Sequence, residues 1–271
     1  MRVDANGVAI EYQVTGEGEP VVLLHGFPDT GRVWRHQVGA LADAGFRVIV
    51  PDMRGYGASD KPAAVEDYAI AHLAGDVVAV LDDAGAERAH VVGHDWGAAV
   101  AWAVSIFAPE RVDRLVAMSV GHPAAFRRAG IEQQMRSWYM LLFQFEGVAE
   151  RWLSDDDWAN MRAWGAHPDG DEVIDELERS GSLTPALNWY RANVHPSTWV
   201  EPPLDLPGVQ APTMGIWSTG DFALTEAQMT GSARHVDGTW RYERIEGAGH
   251  WMQLERPDEV NRLLSDFLPS R

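Results

Sequence analysis

The stretch AHVVGHDWGAAVAW, residues 89–102, decides the fold. It joins a short apolar run to a helix-length apolar segment, with Asp95 at the junction and small residues soon after it. This pattern predicts a buried strand, a sharp turn and a buried helix, which is the outline of a nucleophile elbow. Serine usually occupies the place that Asp95 holds. In the alternative interpretation, Asp95 is only a turn residue or the N-cap of the helix.

Short apolar runs recur along the chain without the alternation of a half-exposed strand. They are VVLL (21–24), RVIV (47–50), AHVVG (89–93), LVAMSV (115–120) and TMGIWS (213–218). Helix-length segments such as 67–84 and 97–107 separate them. Strands covered on both faces that alternate with helices predict an α/β fold with a mostly parallel, doubly wound sheet. Before them, Asn6-Gly7 predicts a β-hairpin with a type I′ turn.

After the LVAMSV run the chain becomes helical in pattern and rich in tryptophan. We therefore predict a helical cap over 124–205, inserted into a core formed by 1–123 and 206–271. Within this inserted segment, Ser154 is predicted to be the N-cap residue of a helix that begins with an acidic turn. Thr184 is predicted to cap another helix, because a proline follows it at the first helical position.

The composition restricts the classes of partner. The 271 residues carry 40 acidic and 22 basic side chains, and the net charge of −18 repels phosphate backbones and anionic membranes. The chain has no cysteine, which excludes disulfides and thiolate nucleophiles. Its first residues lack the pattern of a signal peptide, and no apolar run approaches the ~20 residues of a membrane span. We expect a cytoplasmic protein that binds neither nucleic acid nor membrane.

Asp95 would be a nucleophile that is already ionised at neutral pH. A carboxylate gains little against a carbonyl, so its natural targets are strained or activated saturated carbons, namely an epoxide or a carbon bearing a halide. Asp221 and His250 each follow a predicted late strand, which gives the chain order nucleophile, acid, histidine. We expect His250 to activate water and Asp221 to hold the imidazole. The backbone N–H groups of Phe27 and Trp96 are predicted to form the oxyanion hole.

The leaving group separates the two substrates. A halide leaves as a stable anion, whereas epoxide opening creates an alkoxide that needs an acid with a pKa near 10, such as tyrosine. From about residue 8 to 268 the chain resembles the epoxide hydrolases of the α/β-hydrolase fold, including the hydrolase domain of the mammalian soluble enzyme. The motifs that carry this resemblance include HGFPDTGRVWRHQ, VPDMRGYGASDKP, GHDWGAAVAW, GDFAL and GAGHWMQLERPDEVNRLL.

Two motifs of the cap are the specific part of the resemblance. WYMLLFQFEGVAE carries Tyr139 and ALNWYRAN carries Tyr190, at the places where the family has the tyrosines that bind and protonate the epoxide oxygen. The resemblance implies an α/β-hydrolase fold with an inserted helical cap. It also implies that a small hydrophobic epoxide and water give a vicinal diol, with no cofactor and no metal. A homodimer is left open. The cap departs from the family pattern at 150–183, so the pocket size is not predicted.

The alternative function is a haloalkane or haloacetate dehalogenase with the same aspartate nucleophile. Trp96 could donate to a halide, but Phe27 occupies the place where haloalkane dehalogenases often carry an asparagine. Fluoroacetate dehalogenases typically show arginine where this chain has Trp96. Phe27, Trp96 and Trp251 are therefore expected to be apolar walls of the substrate pocket.

Other polar residues near the motifs are expected to have structural roles. His94, Asp52, Arg54 and Asp60 are assigned to stapling loops around the site. His122 follows the LVAMSV run, where some dehalogenases place their acid. Histidine cannot serve as that acid, which favours Asp221, and His122 is expected to stabilise the hinge of the cap.

Overall fold

The computed structural model describes residues 1–202 and 205–269. Its strands are β1 Arg2–Ala5, β2 Val8–Thr15, β3 Glu19–Leu24, β4 Phe46–Pro51, β5 Ala89–His94, β6 Val112–Met118, β7 Thr213–Ser218 and β8 Trp240–Ile245. These described strands form one sheet in the order β1-β2-β4-β3-β5-β6-β7-β8. The β1–β2 and β2–β4 pairings are antiparallel and the other pairings are parallel. The predicted mostly parallel sheet is confirmed.

The helices precede, separate and follow the parallel strands. They are α1 Arg35–Asp43, α2 Ile70–Asp83, α3 Trp96–Phe107, α4 Pro123–Arg127, α5 Ile131–Arg136, α6 Trp138–Leu142, α7 Val148–Gly165, α8 Gly170–Ser180, α9 Leu183–Asn193, α10 Glu226–Gly231, α11 Met252–Glu255 and α12 Pro257–Phe267. Short 3₁₀ turns occur at Gly31–Trp34, Val65–Tyr68, Pro109–Arg111, Pro196–Trp199 and Ser232–His235. Among the described residues, no helix has both the length and the apolarity that a membrane crossing requires.

Helices cover both faces of the sheet. Val22 and Leu24 of β3 pack in the core that contains α2 and α3. Val21 and Leu23 pack in the core on the other face, with α1 and α12. Successive side chains of a strand point to opposite faces, so a strand that is covered on both is mainly apolar. This explains why the strand sequences do not alternate.

The N-terminal hairpin forms as predicted. Ala5 of β1 pairs with Val8 of β2, and the two residues between them, Asn6 and Gly7, have φ of 57° and 85°. A type I′ turn requires positive φ at both of these positions, which Asn-Gly tolerates.

Residues 123–199, which we call the helical insert, lie between β6 and β7 and contain α4 to α9. Two predictions of helix N-caps in this segment are wrong. Ser154 lies inside α7, and the residues directly after it, 155–158, are non-helical, so no helix begins there. Thr184 is already helical, because α9 begins at Leu183 after Ser182. A side-chain cap contributes only about 1 kcal/mol, so the packing of the buried faces decides where these helices begin.

The predicted cap includes residues 203 and 204, and the predicted core includes residues 270 and 271. These four positions lie outside the described residues.

Candidate active site

Asp95 lies in the turn between β5 and α3, with φ 54° and ψ −122°. A non-glycine residue rarely adopts such a backbone, which costs on the order of 1–3 kcal/mol, and this strain is typical of a nucleophile elbow. Asp95 is 7% exposed. Among the described residues it makes no side-chain cap hydrogen bond to α3. The geometry therefore favours the elbow over the alternative of a helix cap.

Glycine is required on both sides of this turn. A Cβ at Gly93 would overlap the backbone of Gly97, and a Cβ at Gly97 would overlap the carbonyl of Leu24 in the neighbouring strand. The spacing G-x-D-x-G therefore lets α3 pass close to the carboxyl end of β3.

The carboxylate of Asp95 rests against the loop after β3. Its Oδ1 accepts a hydrogen bond of 2.8 Å from the backbone N–H of Phe27. Gly26 makes this approach possible, because a Cβ there would overlap Oδ1 and come within 2.7 Å of the Trp96 backbone nitrogen. Trp96 is the first residue of α3, and a first-turn N–H has no partner within the helix. One predicted oxyanion donor, the N–H of Phe27, therefore contacts Asp95, and the other, the N–H of Trp96, belongs to the residue that follows Asp95 in the chain.

His250 and Asp221 reach the same edge of the sheet from the segments after β8 and β7. His250 Nδ1 lies 3.0 Å from Asp221 Oδ2, and His250 Nε2 lies 3.7 Å from Asp95 Oδ2. Asp221 Oδ1 accepts two hydrogen bonds of 2.9 Å from the N–H groups of Ala223 and Leu224. The imidazole is therefore held between two carboxylates, with one nitrogen directed at each.

Burial and charge act in opposite directions on these groups. Burial alone would lower the pKa of His250, but the carboxylates of Asp221 and Asp95 outweigh it and raise this pKa to about 10. Burial would raise the pKa of Asp221, whereas His250 and hydrogen bonds, including one from Ser119, hold it below its usual value. At neutral pH the pair is an imidazolium and a carboxylate.

Ser119 belongs to this cluster, although the sequence did not single it out. It directly follows β6, with φ 71°. Its Oγ donates to Asp221 Oδ2 over 2.5 Å and lies 3.1 Å from His250 Nδ1. Its position just beyond a buried parallel strand is the signal that could have identified it.

Tyr139 of α6 and Tyr190 of α9 come from the helical insert and face the elbow. Each is 2% exposed, and their ring centroids lie 6.0 Å apart. Tyr190 packs edge-on against Trp96 at 5.1 Å and Phe27 at 5.7 Å. Burial, followed by the negative charge of Asp95, raises the pKa of both phenols well above 10. Both therefore keep their O–H groups at neutral pH and can donate hydrogen bonds.

Two cavities border this constellation. The larger, of about 270 Å³, is lined by Asp95, Trp96, Tyr139 and Tyr190, together with mainly apolar residues of α3 and the helical insert. We call it the large cavity. The smaller, of about 20 Å³, shares Asp95 and both tyrosines with it, and we call it the small cavity. Its other walls are Phe27, Pro28, Met161, Trp164, Gly165, Phe222, Ala223, His250 and Trp251.

Trp251 lines the small cavity with its indole N–H turned elsewhere. Trp251 Nε1 donates to Asp29 Oδ2 over 2.9 Å, and the other oxygen of Asp29 lies 3.1 Å from His167 Nε2. His167 follows α7, so this buried cluster joins the helical insert to the loop after β3. No sequence motif pointed to it, because its three members are distant in the chain.

Three of the remaining residues hold the loops around the site in place through hydrogen bonds and an ion pair, as expected. Asp52 accepts hydrogen bonds from the N–H groups of Gly31 and Ala58. Asp60 accepts from Arg2 and from the backbone N–H of Ala9. Arg54 forms a buried, two-pronged ion pair with Asp76 and also donates to the Asp67 carbonyl, which fixes the loop after β4 to α2.

His94 and His122 line neither cavity. His94 Nε2 lies 2.9 Å from the carbonyl of His250, which braces the backbone of the catalytic segment. His122 accepts a hydrogen bond from Ala124 at the start of α4, and its ring stacks on His235 at 4.3 Å. Burial and the neighbouring His235 lower the pKa of His122 to about 3. It thus lies at the start of the helical insert, consistent with a role at the hinge.

No group of three or more His, Cys, Asp or Glu side chains that could hold a metal ion occurs among the described residues. The groups with perturbed pKa values that line the cavities are instead Tyr139, Tyr190 and His250. The arrangement combines a carboxylate at an elbow, two backbone donors, two phenols and an imidazole–carboxylate pair.

The chain is similar to known proteins over most of its length. Residues 19–257 match the family described as alpha/beta hydrolase fold. The chain is 39% identical to epoxide hydrolase A of Mycobacterium tuberculosis, over 98% of this chain and 96% of the relative. It is 31% identical to epoxide hydrolase 3 of Xenopus tropicalis, over 99% of this chain and 77% of the relative. The crystal structure of a Bacillus megaterium epoxide hydrolase in complex with an inhibitor superposes with a TM-score of 0.90, at 29% identity, over 98% of this chain and 99% of that chain.

These relatives are epoxide hydrolases by name, and they align over most of their own length. The dehalogenase alternative is not favoured by them. The chain belongs to the epoxide hydrolase family of the α/β-hydrolase fold.

Proposed function

We propose that the protein converts epoxides to vicinal diols through a covalent ester on Asp95. The observation that carries this proposal is that one cavity wall presents a buried carboxylate and two buried phenols that keep their protons. A carboxylate attacks the strained ring carbon while the phenols donate to the oxygen that leaves. The helical insert acts as a cap in this scheme, because it supplies both phenols.

In the first step, an oxygen of Asp95 attacks a ring carbon and the carbon–oxygen bond of the epoxide breaks. Oδ1 is held by the N–H of Phe27, so Oδ2 is the attacking atom. Tyr139 and Tyr190 bind the ring oxygen, and one of them gives it a proton. The products of this step are a hydroxyalkyl ester and a tyrosinate.

The ester changes the charge around His250. When Asp95 becomes a neutral ester, one of the two carboxylates that raise the pKa of His250 is removed, so this pKa falls. His250 then loses its proton more readily and can act as a base. Formation of the ester therefore prepares the group that hydrolyses it.

In the second step, His250 takes a proton from water, and the oxygen of this water attacks the ester carbonyl. The N–H groups of Phe27 and Trp96 bind the oxyanion on Oδ1. Collapse releases the diol, whose leaving oxygen takes the proton from His250. The restored carboxyl group loses its proton, which returns to the tyrosinate, and His250 regains from bulk water the proton that it gave up after the ester formed. The sum is one epoxide and one water giving one diol.

The small cavity suits the water of this step. Its volume of about 20 Å³ has room for one water molecule, for which about 10–15 Å³ is needed. Asp95 and His250 both line it, so a water there lies between the ester and the base.

The two phenols favour an epoxide over a halide. Trp251 Nε1 is bound to Asp29, and Trp189 Nε1 is bound to the carbonyl of Arg54. Neither is therefore available to bind a leaving halide, whereas the two phenols match the needs of a leaving alkoxide.

The test uses His250→Gln, which removes the base but leaves Asp95 able to attack. After treatment with styrene oxide, its intact mass should rise by one epoxide, and the added mass should map to Asp95. Asp95→Ala should gain no mass and form no diol. An unmodified His250→Gln protein, or an adduct on another residue, would count against the proposal.

A further inference from the structure

The two cavities that meet at Asp95 differ more than tenfold in volume, about 270 Å³ against about 20 Å³. An epoxide bound between Asp95, Tyr139 and Tyr190 directs the substituents of its two ring carbons away from each other. We propose that the substrates are terminal epoxides, in which one ring carbon carries a single apolar chain and the other carries only hydrogens. This inference rests on the proposed function and assigns its substrate class.

The large cavity is mainly apolar, and one of its walls is a face of α3. Ala99, Ala103 and Phe107 recur at intervals of four residues, so they lie on one face of the helix, and all three line the cavity. At 1.5 Å per residue they cover roughly 12 Å. Opposite walls come from the helical insert and nearby loops, and they include Val120, Phe126, Met140, Val194, Leu206 and Leu224. A single alkyl chain fits along this helix face.

Trp164 and Met161 of α7 form part of the wall of the small cavity. Trp164 packs against Tyr139 at 4.8 Å, Phe143 at 5.6 Å and Phe222 at 5.8 Å, so aromatic contacts hold it on several sides. The remaining space is about that of one water. An alkyl chain on the second ring carbon would have to displace both the water and the indole of Trp164.

Positional isomers provide a matched test, because they have the same atoms and hydrophobicity. We expect kcat/KM for 1,2-epoxyoctane to exceed that for trans-4,5-epoxyoctane, which carries a propyl group on each carbon, by at least about 100-fold. This factor corresponds to roughly 2.7 kcal/mol. Equal values for the two isomers overturn the inference and leave the proposed function intact. Hydrolysis of neither isomer overturns both.

Enlarging the small cavity should change this ratio. Trp164→Ala is expected to lower the preference for the terminal isomer at least tenfold. Trp138→Ala is the matched control, because Trp138 is also a tryptophan of the helical insert but is 45% exposed and lines neither cavity. Should Trp164→Ala fail to give a cooperative thermal melt, Met161→Ala opens the same wall. If a folded variant keeps the parent ratio of kcat/KM for the two isomers, this wall does not exclude a second chain, and that part of the inference is overturned.

The large cavity makes a separate prediction about chain length. Each methylene that leaves water contributes ~0.8 kcal/mol, so kcat/KM should rise roughly threefold to fourfold per carbon from 1,2-epoxybutane until the chain reaches Phe107. Ala103→Leu narrows the large cavity, and should lower the ratio of 1,2-epoxydecane to 1,2-epoxybutane at least tenfold. A flat dependence on chain length in the parent enzyme overturns the assignment of the large cavity.

Discussion

Removing the two phenolic hydroxyls tests how the ring oxygen leaves. Tyr139→Phe and Tyr190→Phe keep the aromatic rings, which pack against Phe143 with centroid distances of 5.5 Å and 5.0 Å, so the fold should be retained. A hydrogen bond to a charged group contributes about 1.5–3 kcal/mol, so each substitution should slow ester formation by roughly 10- to 150-fold. The rate of ester formation should fall further in the double variant than in either single variant. If both hydroxyls bind the same oxygen, this fall should be smaller than the product of the two single effects.

The assay is the rate at which the ester appears after rapid mixing with styrene oxide, measured by quenching and intact mass in the His250→Gln background. Tyr242→Phe is a matched control, because that hydroxyl bonds Glu226 and lines neither cavity. Its rate should stay within about twofold of the parent. A Tyr139→Phe/Tyr190→Phe protein that forms the ester within threefold of the parent rate would refute the proposed role of the phenols.

The remaining predictions concern the groups around the elbow. Asp221→Asn should slow ester hydrolysis by up to about 10⁴-fold while the ester still forms, so that the adduct accumulates in intact mass spectra. Gly26→Ala pushes a Cβ against the Asp95 carboxylate and should lower kcat about 100-fold in a protein that still melts cooperatively; an unchanged kcat would contradict the packing described. His122, with its pKa lowered to about 3, stays neutral in the folded protein, whereas the unfolded chain takes up a proton below pH 6.5. The contribution of His122 to the unfolding free energy is therefore full above about pH 6.5 and falls as the pH is lowered. Between pH 7 and pH 5, the unfolding free energy measured by urea titration should fall by about 2 kcal/mol less in His122→Asn than in the parent protein. Asp76→Ala leaves the Arg54 charge buried without its carboxylate and should lower the unfolding free energy by about 3–5 kcal/mol.

Features that depend on local pattern could be predicted from the sequence. β3, β5 and β7 are mainly apolar because both faces of the sheet are covered, so short apolar runs located them. Asp95 and His250 could be proposed because Asp95 directly follows β5 and His250 lies in the loop after β8, and parallel strands bring their carboxyl ends to one edge. The hairpin turn at Asn6 and Gly7 depends only on two local backbone angles.

Features that depend on distant contacts could not be predicted in this way. Ser154 and Thr184 have the residue type of caps, but the packing of α7 and α9 sets where those helices run. Ser119, Asp29 and His167 could not be assigned to the site from the sequence, because their hydrogen-bond partners are distant in the chain. The unequal sizes of the two cavities likewise depend on where Trp164 packs, which no motif specifies.

Transfer of an oxygen atom from Asp95 to the diol is tested most directly by a single turnover in ¹⁸O-labelled water with enzyme in excess over epoxide. Attack of water on the ester carbonyl puts the label into the carboxylate of Asp95, so the first diol should be unlabelled and the peptide containing Asp95 should gain about 2 Da. Label in the first diol, with none in that peptide, would mean that water opens the ring directly and that no ester forms.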